Sequence, residues 1–138
     1  MINGIYPTAS GFNLSMLVFR IAIAAEMIRV HGLKKIGIGP ADVEKVPNPL
    51  HLPELLNQGI AVSANLLFPM LIIFGFLTRF SLVPILAVTI TGFIFHWNDA
   101  YPLQDVPYMY SIAFLLVFSL GPGEYSVDYL IDSRKLKY

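Results

Sequence analysis

Four long apolar segments constrain the fold of this chain more than any other feature. A helix needs roughly 20 apolar residues to cross a bilayer, and backbone groups in lipid must be paired within the chain. The second segment meets this requirement without a charged side chain. We therefore predict an all-α integral membrane four-helix bundle, formed by a single domain over residues 1–138. The predicted helices cover about residues 14–31, 57–77, 80–97 and 106–121.

The composition agrees with a membrane protein and excludes several kinds of function. Charged residues make up 13% of the chain, about half of what a soluble domain usually carries. The formal net charge of zero gives no electrostatic footprint for nucleic acid. The absence of cysteine excludes disulfides, thiol chemistry and cysteine-ligated metal clusters, and we expect no metal site. The first segment lacks a basic flank, so we expect it to remain as an anchor.

The connections predict further local features. The short "LTRF" turn at residues 77–80 makes the second and third helices an antiparallel hairpin. Pro69 should kink the second helix. Short surface helices are expected at residues 41–45 and in the tail after residue 123, where Ser126 is the expected helix cap. Lysine and arginine are nearly balanced between the two sides, and we expect both termini in the cytoplasm. An interfacial aromatic belt is predicted at Trp97, Tyr101, Tyr108 and Tyr110.

Two polar features mark the first helix. Arg20 lies inside the apolar segment, where an arginine is costly unless it pairs or reaches a polar cavity. At 100° per residue, Arg20, His31 and Lys35 fall within a narrow arc. Glu26 and Arg29 lie on another face, three residues apart, and should form a structural pair. The alternative is that Arg20 snorkels and the lysines are interfacial anchors.

The second and third helices carry further candidates. His96 ends the third helix with Asp99 one turn later, a spacing that would fix the imidazole tautomer or relay a proton. The alternative is an interfacial histidine beside a belt tryptophan. Asn65 lies deep in the second helix, where it should bond to a neighbouring helix through Arg20, to a ligand carbonyl or to backbone freed by Pro69. His31 and His96 also suggest a haem ligated by both histidines as an alternative, but no other haem-binding signature in the sequence supports it.

Five short features follow one another along the chain, namely Arg20, "HGLKK" (31–35), "GFLTR" (75–79), His96 and "GPGEYSVD" (121–128). In their order and spacing, these features resemble the DoxX family of small four-helix membrane proteins. It implies a bacterial cytoplasmic (inner) membrane protein linked to quinone or sulfur redox metabolism, since relatives include a subunit of a thiosulfate:quinone oxidoreductase.

Two functional hypotheses follow. The first is a quinone-linked membrane subunit whose polar head site is formed by the first and third helices and whose electrons come from a partner subunit. Its candidate ligand-binding residues are Arg20, His31, Lys35, Asn65 and His96. Its expected apolar lining is Phe68, Phe74, Phe76, Phe93 and Phe95. The second hypothesis is a non-catalytic accessory subunit of a larger membrane complex. Asn65 favours the second, because the resemblance implies a glutamate at that position in many relatives.

Overall fold

The computed structural model describes residues 8–39 and 46–135, and these ranges contain helices and connections but no strand. The all-α prediction is therefore confirmed for the described part of the chain. The surface helix predicted at residues 41–45 lies outside the described residues.

Five helices make up the described structure. The first four are long and apolar enough to cross a membrane, with mean hydropathies of 1.5, 1.5, 1.7 and 1.4, as the sequence predicted. The fifth is the predicted helix of the tail. The helices are α1 (Ala9–Lys35), α2 (Glu54–Phe74), α3 (Thr78–Phe95), α4 (Tyr101–Leu120) and α5 (Val127–Lys135).

Each membrane helix begins before the predicted boundary, because polar and proline residues form its first turn. The hydroxyl of Thr8 caps α1 by accepting a hydrogen bond from the backbone N–H of Gly11 at 3.1 Å. Helix α4 begins at Tyr101 and has a proline in its first turn, where the missing N–H costs nothing. A boundary set by hydropathy alone excludes such turns.

The four membrane helices form a closed ring, in which each helix contacts the next and α4 returns to α1. Their shared core is built from aliphatic and aromatic side chains that are almost fully buried. These include Ala24, Met27, Ile72, Leu82, Ile85, Phe114 and Val117.

Two of the membrane helices widen into a π turn at the same level of the bundle. The turn of α1 covers Ile28–Gly32, that of α2 covers Ser63–Leu67, and the two are in contact. The α2 turn directly precedes Pro69, which cannot donate a hydrogen bond to the carbonyl of Asn65 four residues earlier. The sequence predicted a kink near Pro69, and α2 departs from α geometry in the turn before it.

The tail folds back onto the end of the bundle where α2 meets α3. Helix α5 begins after Ser126, whose hydroxyl accepts a hydrogen bond from the backbone N–H of Tyr129 at 3.2 Å. This is the cap that the sequence predicted. Tail residues also reach into the bundle, since the N–H of Glu124 donates to the side-chain oxygen of Asn13 at 3.2 Å.

Asp128 joins the tail to the turn between α2 and α3. Its carboxylate accepts hydrogen bonds from the backbone N–H groups of Leu77 and Thr78, both at 2.8 Å. Its own N–H donates to the carbonyl of Gly75 at 2.9 Å. A carboxylate at this position satisfies free donors at the N-terminus of α3 and complements the helix dipole. Asp128 therefore caps α3 from a distant part of the chain.

We expect Asp128→Ala to lower the free energy of unfolding by about 1–2 kcal/mol, as loss of an N-cap usually does. Unfolding in mixed micelles of dodecyl maltoside and sodium dodecyl sulfate measures this quantity. Asp132→Ala is the matched control, because Asp132 is exposed on the same helix. Equal stability of the two variants would contradict the capping role.

Candidate functional site

A cavity of about 440 Å³ lies between the four membrane helices, at the end opposite the tail. We call it the histidine cavity, because both His31 and His96 line it. Its walls are largely apolar, with Ala61, Ala87 and Val88 among them. Its polar lining includes His31, Lys35, Asn65, Thr89, His96 and Tyr110.

His31 is held in the cavity by the π turn of α1 and by an aromatic neighbour. Its ring meets that of Tyr110 edge to face, with centroids 5.4 Å apart and an interplanar angle of 80°. Tyr110 in turn stacks on Phe114, with centroids 6.2 Å apart. These contacts fix the imidazole on the cavity wall.

Tyr110 is a site residue for which the sequence wrongly predicted a place in the interfacial belt. It is 9% exposed, whereas Trp97, Tyr101 and Tyr108 are 62%, 80% and 47% exposed, as expected for belt residues. The reason is that α4 begins five residues before the predicted boundary, so that Tyr110 lies deep in the helix. The proline in "YPLQ" is a typical helix-start signal and was the clue to this depth.

His96 forms the predicted pair with Asp99. It ends α3, and its Nδ1 lies 2.6 Å from Oδ2 of Asp99. A carboxylate in this position favours a proton on Nδ1, which leaves Nε2 as the ring atom that can exchange a proton with a ligand. The structure thus supplies one proton-competent group at the edge of the cavity.

Lys35 and Asn65 lie on the facing walls formed by α1 and α2. Lys35 is 8% exposed and Asn65 is 5% exposed. The amide nitrogen of Asn65 donates to the carbonyl of Ala61 in its own helix at 2.7 Å. This partner is neither Arg20 nor the carbonyl that Pro69 leaves without a donor, which is that of Asn65 itself.

The loop before α2 closes the aqueous end of the cavity. Residues of this loop between 46 and 52 line the cavity. Asn48 holds the loop in shape, since its side chain donates to the carbonyl of Leu52 at 2.6 Å and accepts from the N–H of Leu52 at 2.9 Å. Asn57 of α2 donates to the carbonyl of Pro47 at 3.3 Å. The loop is thereby fixed over the cavity.

Arg20 lies at the other end of the bundle and does not line the cavity. It is 1% exposed, and its guanidinium donates to the carbonyls of Pro122, Tyr125 and Ile73 at 2.5, 2.9 and 3.4 Å. Arg20 lies roughly 16 Å before His31 along the axis of α1. The helical arc that groups Arg20 with His31 therefore joins residues that lie at different ends of the protein.

Three further expectations from the sequence concern the charged pair of α1, the phenylalanines and metal binding. The predicted pair is confirmed, with Nε and Nη2 of Arg29 donating to the carboxylate of Glu26 at 2.9 and 2.6 Å on an exposed face.

Of the five phenylalanines expected to line the site, only Phe95 does so. Phe74 and Phe76 are 63% and 37% exposed, because they lie on the lipid-facing side of the bundle.

In the part of the chain that the structure describes, no group of three or more His, Asp or Glu side chains could hold a metal ion.

The sequence matches the DoxX family over residues 15–97, which is more than half of the chain. The chain belongs to the DoxX family. An uncharacterised protein of Haemophilus influenzae is 31% identical over 130 residues, covering 88% of this chain and 85% of that protein. The inner membrane protein YqjF of Escherichia coli is 37% identical over 68 residues, covering 46% of this chain and 52% of that protein. No solved structure matches the chain.

The structure separates the sequence pieces that resemble the DoxX family into two groups. "HGLKK" and His96 contribute to the histidine cavity, whereas Arg20, "GFLTR" and "GPGEYSVD" meet at the tail end of the bundle. In this multi-pass membrane protein of the DoxX family, one end of the bundle therefore binds the tail and the other end encloses the histidine cavity.

Proposed function

We propose that this protein is a quinone-binding membrane subunit of a redox complex in the bacterial inner membrane. The observation that carries the proposal is a cavity between membrane helices in which two imidazoles and a buried lysine converge on largely apolar walls. A quinone needs a flat apolar slot and a few hydrogen-bond donors at its two carbonyl oxygens. The cavity, at about 440 Å³, lies within the usual range of roughly 300–1,000 Å³ for ligand pockets.

In this proposal, different residues of the cavity bind the quinone and exchange protons with it. Lys35 and His31 face the ligand from α1 and stabilise negative charge that develops on a quinone oxygen during reduction. His96, backed by Asp99, exchanges the proton that accompanies an electron. Asn65 occupies a position where the family resemblance implies a glutamate, and an amide cannot act as a base. Proton exchange is therefore left to the histidines.

Reduction of a quinone to a quinol takes two electrons and two protons, and the electrons must come from another redox centre. The chain has no cysteine to ligate a cluster, so a partner subunit is the electron donor in this proposal. The proposal keeps both termini in the cytoplasm. The histidine cavity, which lies at the opposite end from the tail, is then on the periplasmic side.

Binding of a ubiquinone to the purified protein in mild detergent tests the proposal, with calorimetric titration as the measurement. We expect His31→Asn and His96→Asn each to weaken binding roughly tenfold, which corresponds to about 1.4 kcal/mol and to one lost hydrogen bond to the ligand. His51→Asn is the matched control, because His51 is exposed and outside the cavity lining.

Either of two results would contradict the proposal and support a different function. A protein that binds no quinone but co-purifies with a stoichiometric membrane partner would be an accessory subunit. A Soret band in the optical spectrum of the isolated chain would instead indicate haem between His31 and His96.

A further inference from the structure

A second depression of about 600 Å³ lies on the outside of the bundle, between α2 and α3. We call it the lipid-facing groove. Its lining is almost entirely apolar, with Ser63 as its polar member, and includes Pro53, Leu55, Leu56, Gly59, Phe68 and Pro84. Leu55 and Leu56 are 88% and 51% exposed, so the groove opens towards the hydrocarbon of the bilayer.

The groove and the histidine cavity meet at one residue. Ile60 lines both of them. Its neighbours divide between the two spaces, since Gly59 lines the groove and Ala61 lines the cavity. Across the helix pair, Pro84 lines the groove and Ala87 lines the cavity, one turn further along α3. The two spaces therefore adjoin, with Ile60 at the boundary.

We infer that the ligand of the histidine cavity is an amphiphile with a long hydrocarbon tail, which leaves the cavity past Ile60 and lies in the lipid-facing groove. The inference rests on the proposed function and specifies its ligand as a prenylated quinone rather than a soluble one. It also assigns a route, because the ligand then enters sideways from the bilayer.

The chemistry of the groove favours a hydrocarbon tail over other occupants. A peptide segment would bring backbone N–H and C=O groups into lipid, where the apolar lining offers them almost no partners. A hydrocarbon chain needs none and gains contact with aliphatic walls. Gly59 leaves room for it, since a Cβ atom built at Gly59 would meet no neighbouring atom within 4 Å.

The route past Ile60 also agrees with the position of the loop before α2. That loop covers the aqueous end of the cavity, where Asn48 and Asn57 hold it. A ligand from water would have to displace it. A ligand from lipid passes Ile60, which lines both spaces and is 43% exposed.

Two ligands and two variants test the inference by calorimetric titration of the full chain in detergent. The ligands are the tail-less ubiquinone head group and the same head group carrying two isoprene units. Gly59→Phe fills the groove without touching the cavity. Met70→Phe is the matched control, because Met70 is 46% exposed on α2 and lines neither space. Comparing the same ligand between variants cancels its partition into the micelle.

We expect Gly59→Phe to weaken binding of the prenylated ligand roughly tenfold or more, since burial of several methylene groups is lost. Binding of the tail-less head group should be unchanged in Gly59→Phe, and Met70→Phe should change neither affinity. If Gly59→Phe leaves both affinities unchanged, the groove does not hold the tail and a bilayer lipid is its occupant. That result overturns the inference while head-group binding still supports the proposed function. If neither ligand binds the unmodified protein, both the proposed function and the inference fail.

Discussion

Gly32→Ala is expected to lower the free energy of unfolding by about 1–3 kcal/mol, the usual cost of overpacking a tight contact. A Cβ atom at Gly32 would lie 2.5 Å from the backbone carbonyl oxygen of Asn65, and 3.3 Å from Cδ1 of Leu66. The backbone of α2 cannot change rotamer to relieve this contact as a side chain could, so the two π turns must move apart. The cost of that separation outweighs the gain of about 1 kcal/mol that replacing glycine by alanine normally brings to a helix.

The matched control is the same substitution at Gly92, on the opposite wall of the histidine cavity. A Cβ atom there would lie 3.6 Å from Cβ of Pro107, an ordinary contact distance. Gly92→Ala should therefore be neutral or raise the free energy of unfolding by up to about 1 kcal/mol. Unfolding in mixed detergent micelles measures both variants. A Gly32→Ala protein as stable as Gly92→Ala would show that the π turns do not need their close approach.

Gly32→Ala should also weaken quinone binding, because the contact that it disturbs lies beside His31. A shift of α1 relative to α2 moves His31 and Asn65 apart on the cavity wall. Gly92→Ala supplies the comparison again, since it adds a methyl group to the cavity without separating helices.

The elements that sequence reasoning predicted well depend on short-range order. Apolar runs close to the length that crosses a bilayer's hydrocarbon identify membrane helices whatever their neighbours are. Side chains three residues apart meet on one helix face or in its last turn, which is why the Glu26–Arg29 and His96–Asp99 pairs were predictable. The cap at Ser126 is equally local.

The features that sequence reasoning missed depend on distant contacts or on irregular helix geometry. The carbonyl partners of Arg20 come from residues up to 105 positions away along the chain, and helical phase cannot locate them. A π turn holds an extra residue per turn, so the 100° rotation used to compare Arg20 with His31 does not apply through Ile28–Gly32. Helical phase groups residues by face alone, and the three-dimensional structure was needed to assign each residue to an end.

Arg20→Met is expected to lower the free energy of unfolding by about 3–5 kcal/mol, because three carbonyls lose hydrogen bonds to a charged donor and each such bond contributes roughly 1.5–3 kcal/mol. Methionine fills much of the volume but donates no hydrogen bond. The carbonyls of Pro122, Tyr125 and Ile73 would then be left without the donors that Arg20 supplies. The matched control is Arg79→Met, because Arg79 is exposed near the same end of the bundle.

Arg20→Lys keeps the test informative if Arg20→Met fails to fold. An ammonium lacks the planar fork of a guanidinium and cannot reach three carbonyls at once, so the lysine variant should be less stable than the unmodified protein but folded. Its tail should be released, which trypsin cleavage in the tail after Arg134 would detect as a faster reaction than in Arg79→Met. Its affinity for quinone should be unchanged, because Arg20 lies roughly 16 Å along α1 from His31. Loss of quinone binding in a folded Arg20→Lys protein, with the tail still protected from trypsin, would instead place Arg20 in the ligand site and contradict its role in holding the tail.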